Sequence, residues 1–183
     1  GEYVIAALVY TLSPIHDDAH YVARARTLAS CPDIDAVYIK DPGGLLTPAR
    51  ARTLVPAVRA AVHPKPLELH SHCTIGLAEL AYMDAADYGV SALQCASGAA
   101  ADGQSNPHAL RVFRNLRELG HTVQVDEDAL IEIDRYFTQL AAAEGFKSGR
   151  PQPFDAAYLH HQLPGGMIGT MRRHLAESRI AHV

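Results

Sequence analysis

Hydrophobic positions along the chain alternate between two periods. Residues 3–10 (YVIAALVY) form a short continuous apolar run rich in β-branched and aromatic residues, the pattern of a strand covered on both faces. Residues 17–30 switch to helical spacing, with Ala19, Val22, Ala23, Ala25 and Leu28 as the apolar set and Asp17 and Asp18 as capping candidates. The switch then recurs. AVYIK at 36–40 predicts a second strand, stopped by Asp41-Pro42-Gly43-Gly44, and a helix follows from about Pro48 to Ala61. PLELH at 66–70 predicts a third strand, with a helix from about Gly76 to Tyr88. VSALQCA at 90–96 predicts a fourth, leading into the small-residue loop SGAAADGQSNP and a helix over 107–119 that Gly120 would close. Further on, 126–145 reads as an amphipathic helix with acidic residues in its first turn. The tail holds an LPGGM turn and a final short helix from about Met167.

Four strand–helix units in succession predict an α/β layer built on a parallel sheet. In such layers ligands bind at the carboxyl ends of the strands, whether the sheet stays open or closes into a barrel. Tyr10, Lys40-Asp41, His70-Ser71-His72 and the 97–107 loop all fall there. Four units are half of what an eight-stranded barrel needs. Residues 1–125 are expected to form these units, and 126–183 the C-terminal helices and PGGM turn of the same domain.

Composition narrows the function classes. The 183 residues suffice for one domain with a real core, and the net charge of −4 argues against a general nucleic-acid binder. Arginines come in short groups (Arg111, Arg114, Arg117; Arg172, Arg173) that read as solvated helix faces. Cys31, Cys73 and Cys95 have no CxxC spacing, so neither a disulfide framework nor a zinc knuckle is suggested, and a cytoplasmic setting is expected. No apolar run reaches the roughly 20 residues a membrane span needs. The opening GEYVIAALVY has no basic n-region and reads as a buried strand, not a signal peptide.

The chemistry centres on LELHSHCTIG at 67–76. Residues i and i+2 of a strand share a face, so His70 and His72 can converge on one ion, the alternative being polar satisfaction or chance. Lys40 ends the preceding strand and would point at the same centre. As an ammonium it repels a metal and has no lone pair to donate; carbamylated, it becomes an anionic oxygen donor. The alternative is a lysine paired with Asp41.

VYTLSPIHD (9–17), IKDPGGLLTP (39–48), LELHSHCTIGLAELAYMDAADYGV (67–90) and HHQLPGGM (160–167) resemble, in order and spacing, the biotin-dependent carboxyltransferases. That family includes the oxaloacetate decarboxylase alpha subunit, the keto-acid subunit of transcarboxylase and the carboxyltransferase domain of pyruvate carboxylase. The resemblance implies a TIM barrel of which this chain carries the second half, from about barrel strand five. It implies a divalent metal (Zn, Mn or Co) held by carbamylated Lys40 with His70 and His72, Asp41 being one partner able to orient them. Biotin would be carried by another domain or subunit, with oxaloacetate or pyruvate as the keto-acid substrate. The family's fourth ligand, an aspartate in an RDAHQ-like motif, and its substrate-gripping arginine and glutamine belong to the first half of the barrel, so a chain or segment carrying that half is an implied partner, in a hetero- or homo-oligomer.

The loop after the last strand departs from the family. Its proton-shuttling threonine falls at Gly103, with Gln104 and Ser105 beside it, and Ser105 would stand in for it if the loop shifts by two residues. The family's usual Asp-Thr-Ala reads Gln94-Cys95-Ala96. Lys40 and Ser105 are therefore the catalytic candidates. Two other readings remain open: a biotin-independent metal-dependent lyase or condensing enzyme of the same superfamily, and a non-catalytic split-barrel partner subunit.

Overall fold

A computed structural model describes residues 2–163 and 165–178. Its sheet has four parallel strands in the order β1-β2-β3-β4: Ile5–Val9, Ala36–Asp41, Leu67–Ser71 and Ala92–Leu93. The helices between them are α1 (Asp18–Ala29), α2 (Pro48–Val62) and α3 (Ala78–Ala86), followed by α4 (Ala109–Glu118). Neighbouring helices pack side by side, as happens when every crossover lies on the same side of the sheet. The expected α/β architecture and order of elements are thus present.

Register explains which side chains meet. Leu8, Ile39, Leu69 and Leu93 align across the strands, as do Ala6, Val37 and Leu67. Val37, Ile39, Leu67 and Leu69 are buried against the helices, with Leu54, Val55, Val58 and Tyr82 among the residues that cover them. Burying each such side chain contributes about 2 kcal/mol. The alternate set, Ala7, Tyr38, Glu68 and Ala92, then Val9, Lys40 and His70, occupies the opposite face. That face is open: Val9 is 56% exposed.

The first strand was expected to be covered on both faces; the structure covers one. An apolar run shows that a face can be buried without showing what buries it. The fourth strand, expected over 90–96, forms a ladder only at Ala92–Leu93, because Gln94 continues it by a single amide bond to Leu69 and Ala96 makes an isolated bridge with His108.

The helix boundaries follow their caps. Asp17 accepts the His20 amide at 2.8 Å, whereas Asp18 pairs with Arg50 instead of capping. Thr47 caps α2, with Pro48 in its first turn. Gly120, at φ +90, closes α4: its own amide bonds Arg117 and the His121 amide bonds Leu116, a Schellman arrangement. Beyond α4 come α5 (Glu127–Ala143), the short α6 (Tyr158–His161) and α7 (Gly165–Glu177). The expected LPGGM turn is not a free turn where it is described, since Gly165–Met167 already belong to α7; Pro164 lies outside the described residues. Among the described residues no helix is long and apolar enough to cross a membrane.

The arginines of α4 are not merely solvated. Arg111 holds Asp102 through both of its terminal nitrogens and Glu79 through Nε, while Arg114 and Arg117 both reach Glu127 of α5. The Asp102 clamp ties the 98–107 loop to α4. That loop forms one wall of the histidine site.

Candidate metal centre at the strand ends

The pleat of β3 turns Glu68 and His70 to the open face and Leu67, Leu69 and Ser71 to the helices. His72 lies just past the strand, held in line because its amide donates to the Asp41 carbonyl at 3.1 Å. The two rings stand 5.0 Å apart, and His70 Nε2 lies 3.0 Å from His72 Nε2. The converging pair anticipated from the HxH spacing is therefore present.

The other ring nitrogens determine what this pair can do. His72 Nδ1 lies 2.7 Å from the Gln104 backbone carbonyl, which can only accept, so this nitrogen carries the proton. His70 Nδ1 lies 3.0 Å from Gln94 Oε1, another acceptor. With both Nδ1 protons committed, two Nε2 lone pairs face each other and need a shared cation. Burial, followed by the neighbouring His72 and Lys40 charges, lowers the His70 pKa despite its bond to Gln94, so a shared proton is disfavoured. Two nitrogens each about 2.1 Å from one ion lie at most about 4.2 Å apart, so the observed spacing admits a metal. Among the described residues no three His, Cys, Asp or Glu side chains converge. Lys40, the register partner of His70, is the neighbour that carbamylation would convert into a further donor.

Asp41 does not serve the histidines as a side-chain partner, nor does it pair with Lys40. One residue beyond Lys40, it faces the helix side, where Oδ1 accepts the Leu45 amide and Oδ2 the Leu46 amide and the Ser71 hydroxyl, at 2.7–2.9 Å. Burial raises its pKa, and these three donors only partly oppose the rise. Tyr10 is likewise at a strand end but on the helix side, packed 5.6 Å from the Tyr21 ring.

The 98–107 loop reaches His72 through backbone. The Ser105 carbonyl accepts the Cys73 amide at 2.7 Å, and the Ser105 hydroxyl makes no hydrogen bond to Lys40, His70 or His72. Gly103 has φ +60, a conformation that a β-branched threonine would strain. Cys73 is no nucleophile here: burial and then Asp102 push its thiol up to about 12. All three cysteines are free, as their spacing suggested.

Two close approaches fix the walls. Gly44, at φ +66, lies where a Cβ would sit 2.3 Å from the His72 carbonyl oxygen. Gly149 passes so near the loop that a Cβ would fall 1.9 Å from the Ala101 carbonyl oxygen, and its amide bonds Ala99 while Arg150 accepts the Gly103 amide. Sequence reasoning read Gly44 only as part of the stop after the second strand and missed Gly149, and it missed Glu68 and the orienting role of Gln94. Glu68 had a legible signal, since it stands two residues before His70 in one strand. Gln94 appeared only as a departure from the family pattern.

Comparison with known proteins gives a consistent picture. No protein-family model matches the chain. A pyruvate carboxylase subunit of Methanocaldococcus jannaschii is 34% identical over 180 residues, covering 97% of this chain and 31% of the relative. The methylmalonyl-CoA carboxyltransferase 5S subunit of Propionibacterium freudenreichii is 28% identical over 177 residues, covering 96% of this chain and 34% of the relative. Among solved structures, the carboxyl transferase domain of Rhizobium etli pyruvate carboxylase with 3-bromopyruvate matches with a TM-score of 0.86 at 26% identity, over 98% of this chain and 31% of that one. The chain thus spans about a third of the length of these relatives.

Proposed function

The chain is a relative of one segment of the biotin-dependent carboxyltransferases and shares the fold of part of their carboxyltransferase domain, and from that premise we propose that it carries the second half of the barrel and supplies the metal-binding half of a site that moves a carboxyl group between a keto acid and biotin. The remaining half would come from another chain or segment, and the biotin from a separate carrier. The observation that carries the reading is the convergence of His70 and His72 Nε2 at 3.0 Å on the open face of the sheet.

His70, His72 and carbamylated Lys40 are the proposed donors. A divalent metal (Zn, Mn or Co) held there would supply Lewis-acid polarisation of a keto oxygen while the carboxyl group leaves or arrives. The chain's own residues do the rest. Gln94 Oε1 and the Gln104 carbonyl hold the Nδ1 protons, so both Nε2 atoms stay unprotonated and aimed inward. Gly44 lets the loop after β2 lie against the His72 backbone, fixing the height of that ring above the strand ends. The open face, with Tyr38, Lys40 and Glu68 beside the histidines, offers a surface for the complementary half and for substrate.

One observation favours a second reading, a non-catalytic partner subunit. Gly103, where the family threonine is expected, and Gln104 beside it carry no hydroxyl, and the Ser105 hydroxyl makes no bond to either histidine.

Reconstitution separates the two. The full chain is combined with a segment carrying the first half of the barrel and with a biotin carrier, and oxaloacetate decarboxylation is followed. Carboxyl transfer predicts turnover that needs both metal and biotin and is lost in His70→Ala and His72→Ala. A well-folded complex that takes up metal but never turns over would leave the partner-subunit reading.

A further inference from the structure

Glu68 makes no hydrogen bond to either histidine, yet it stands at the head of a chain of hydrogen bonds that ends between them. Its Oε2 accepts from Gln94 Nε2 at 3.0 Å, and Gln94 Oε1 lies 3.0 Å from His70 Nδ1. The Gln94 backbone is pinned, its amide to the Leu69 carbonyl and its carbonyl to the Tyr82 hydroxyl, so the side-chain amide is the part free to turn.

A side-chain amide has two chemically opposite ends. An ionised carboxylate only accepts, so Glu68 draws the NH2 end of Gln94 toward itself and leaves the carbonyl end for His70. Facing a carbonyl, His70 Nδ1 must carry the ring proton. Turned over, the amide would present NH2 to Nδ1, the proton would reside on Nε2, and it would point at His72 Nε2 only 3.0 Å away. That tautomer has no lone pair on Nε2 to offer an ion between the rings.

We propose that Glu68 is a positioning residue that selects the His70 tautomer through the Gln94 amide and so keeps His70 Nε2 open to a metal ion. The inference rests on the metal-site reading of the histidine pair and assigns a second residue to it at two removes. It also explains why Gln94 serves here: flanked by a carboxylate on one side and an imidazole N–H on the other, an amide satisfies both, whereas an ionised carboxylate at residue 94 would face Glu68 as a like charge.

The test is nitrogen NMR of the metal-free full chain with labelled histidine, at neutral to mildly alkaline pH, with His70 assigned by its disappearance in His70→Asn. Wild type is expected to show the Nδ1–H tautomer of His70. Glu68→Gln, isosteric but able to donate or accept, should lose that preference, and zinc affinity should fall about ten-fold. Exchanging the pair, Glu68→Gln with Gln94→Glu, should restore the Nδ1–H tautomer, because a carboxylate then stands directly at that nitrogen. An unchanged tautomer in Glu68→Gln, an Nε2–H tautomer in wild type, or no recovery in the exchanged pair would each overturn the assignment. A wild-type chain that takes up no zinc but whose tautomers respond as described leaves the role of Glu68 standing and removes the metal reading alone.

Discussion

His70 and His72 aim their Nε2 atoms at one another across 3.0 Å, each with its Nδ1 proton held by an oxygen of a different segment. The pleat brings the rings to one face, but the end of β4 and the loop after it choose which nitrogen of each ring looks inward. A histidine pair thus becomes a donor pair through residues 24 and 32 positions away in sequence.

The pair implies a particular response to bicarbonate. Lys40 aligns with His70 in the parallel register, and its ammonium would repel any ion the histidines hold. Addition of CO2 to the amine, with release of a proton, makes an anionic oxygen donor. Zinc affinity should rise with bicarbonate in wild type by at least the roughly ten-fold that even an outer partner is worth. Lys40→Arg should show no such rise in a chelator-competition titration, and an equal response in both proteins would remove Lys40 from the donor set.

Gly44→Ala should disturb the site through backbone alone. A Cβ there meets the His72 carbonyl oxygen at 2.3 Å, at a φ of +66. The cost is about 1–3 kcal/mol in urea unfolding, accompanied by weaker zinc binding. Wild-type stability in this variant would show that the two loops are not in contact.

Gly149→Ala tests the segment laid over the 98–107 loop. The added methyl would sit 1.9 Å from the Ala101 carbonyl oxygen, so the Gly149–Ala99 and Gly103–Arg150 bonds must lengthen. Two such bonds are worth about 1–3 kcal/mol. Faster amide exchange at Gly103 and Gly149 is the expected readout, and unchanged protection would contradict it.

His70 also gives the stability of the protein a pH dependence of known sign. Burial lowers its folded pKa below the ordinary 6.5, so on acidification the unfolded chain takes up the proton first. Its contribution is therefore present above 6.5 and is lost as pH falls from there through the lowered folded value. The melting temperature of His70→Gln should fall less than that of wild type over this interval. Parallel pH profiles would show that His70 is not shielded from solvent.

Much of this was legible in the sequence. The switching of apolar periods placed the strand–helix units, and the HxH spacing pointed to the histidine pair that the structure brings together. What the sequence left open has physical causes. Asp41 stands beside Lys40 in the chain, but the period of two sends its carboxylate to the other face, where the Leu45 and Leu46 amides and Ser71 take it up. Arg111 looked like one of several surface arginines until the fold brought Asp102 and Glu79 to it. The role of Gln94 depends on register across β3 and β4, and that of Gln104 on a backbone carbonyl. The second leaves no trace in residue type.

The proposed function stands or falls with the two imidazoles forming a metal-binding half-site. The divalent-metal stoichiometry of the full chain tests this, by native mass spectrometry after zinc titration, in wild type and in His70→Ala with His72→Ala. One ion per wild-type chain and none in the double variant are expected, with the melting temperature of the metal-free proteins little changed. Equal uptake by the two proteins, or none by wild type in the presence of bicarbonate, would contradict it.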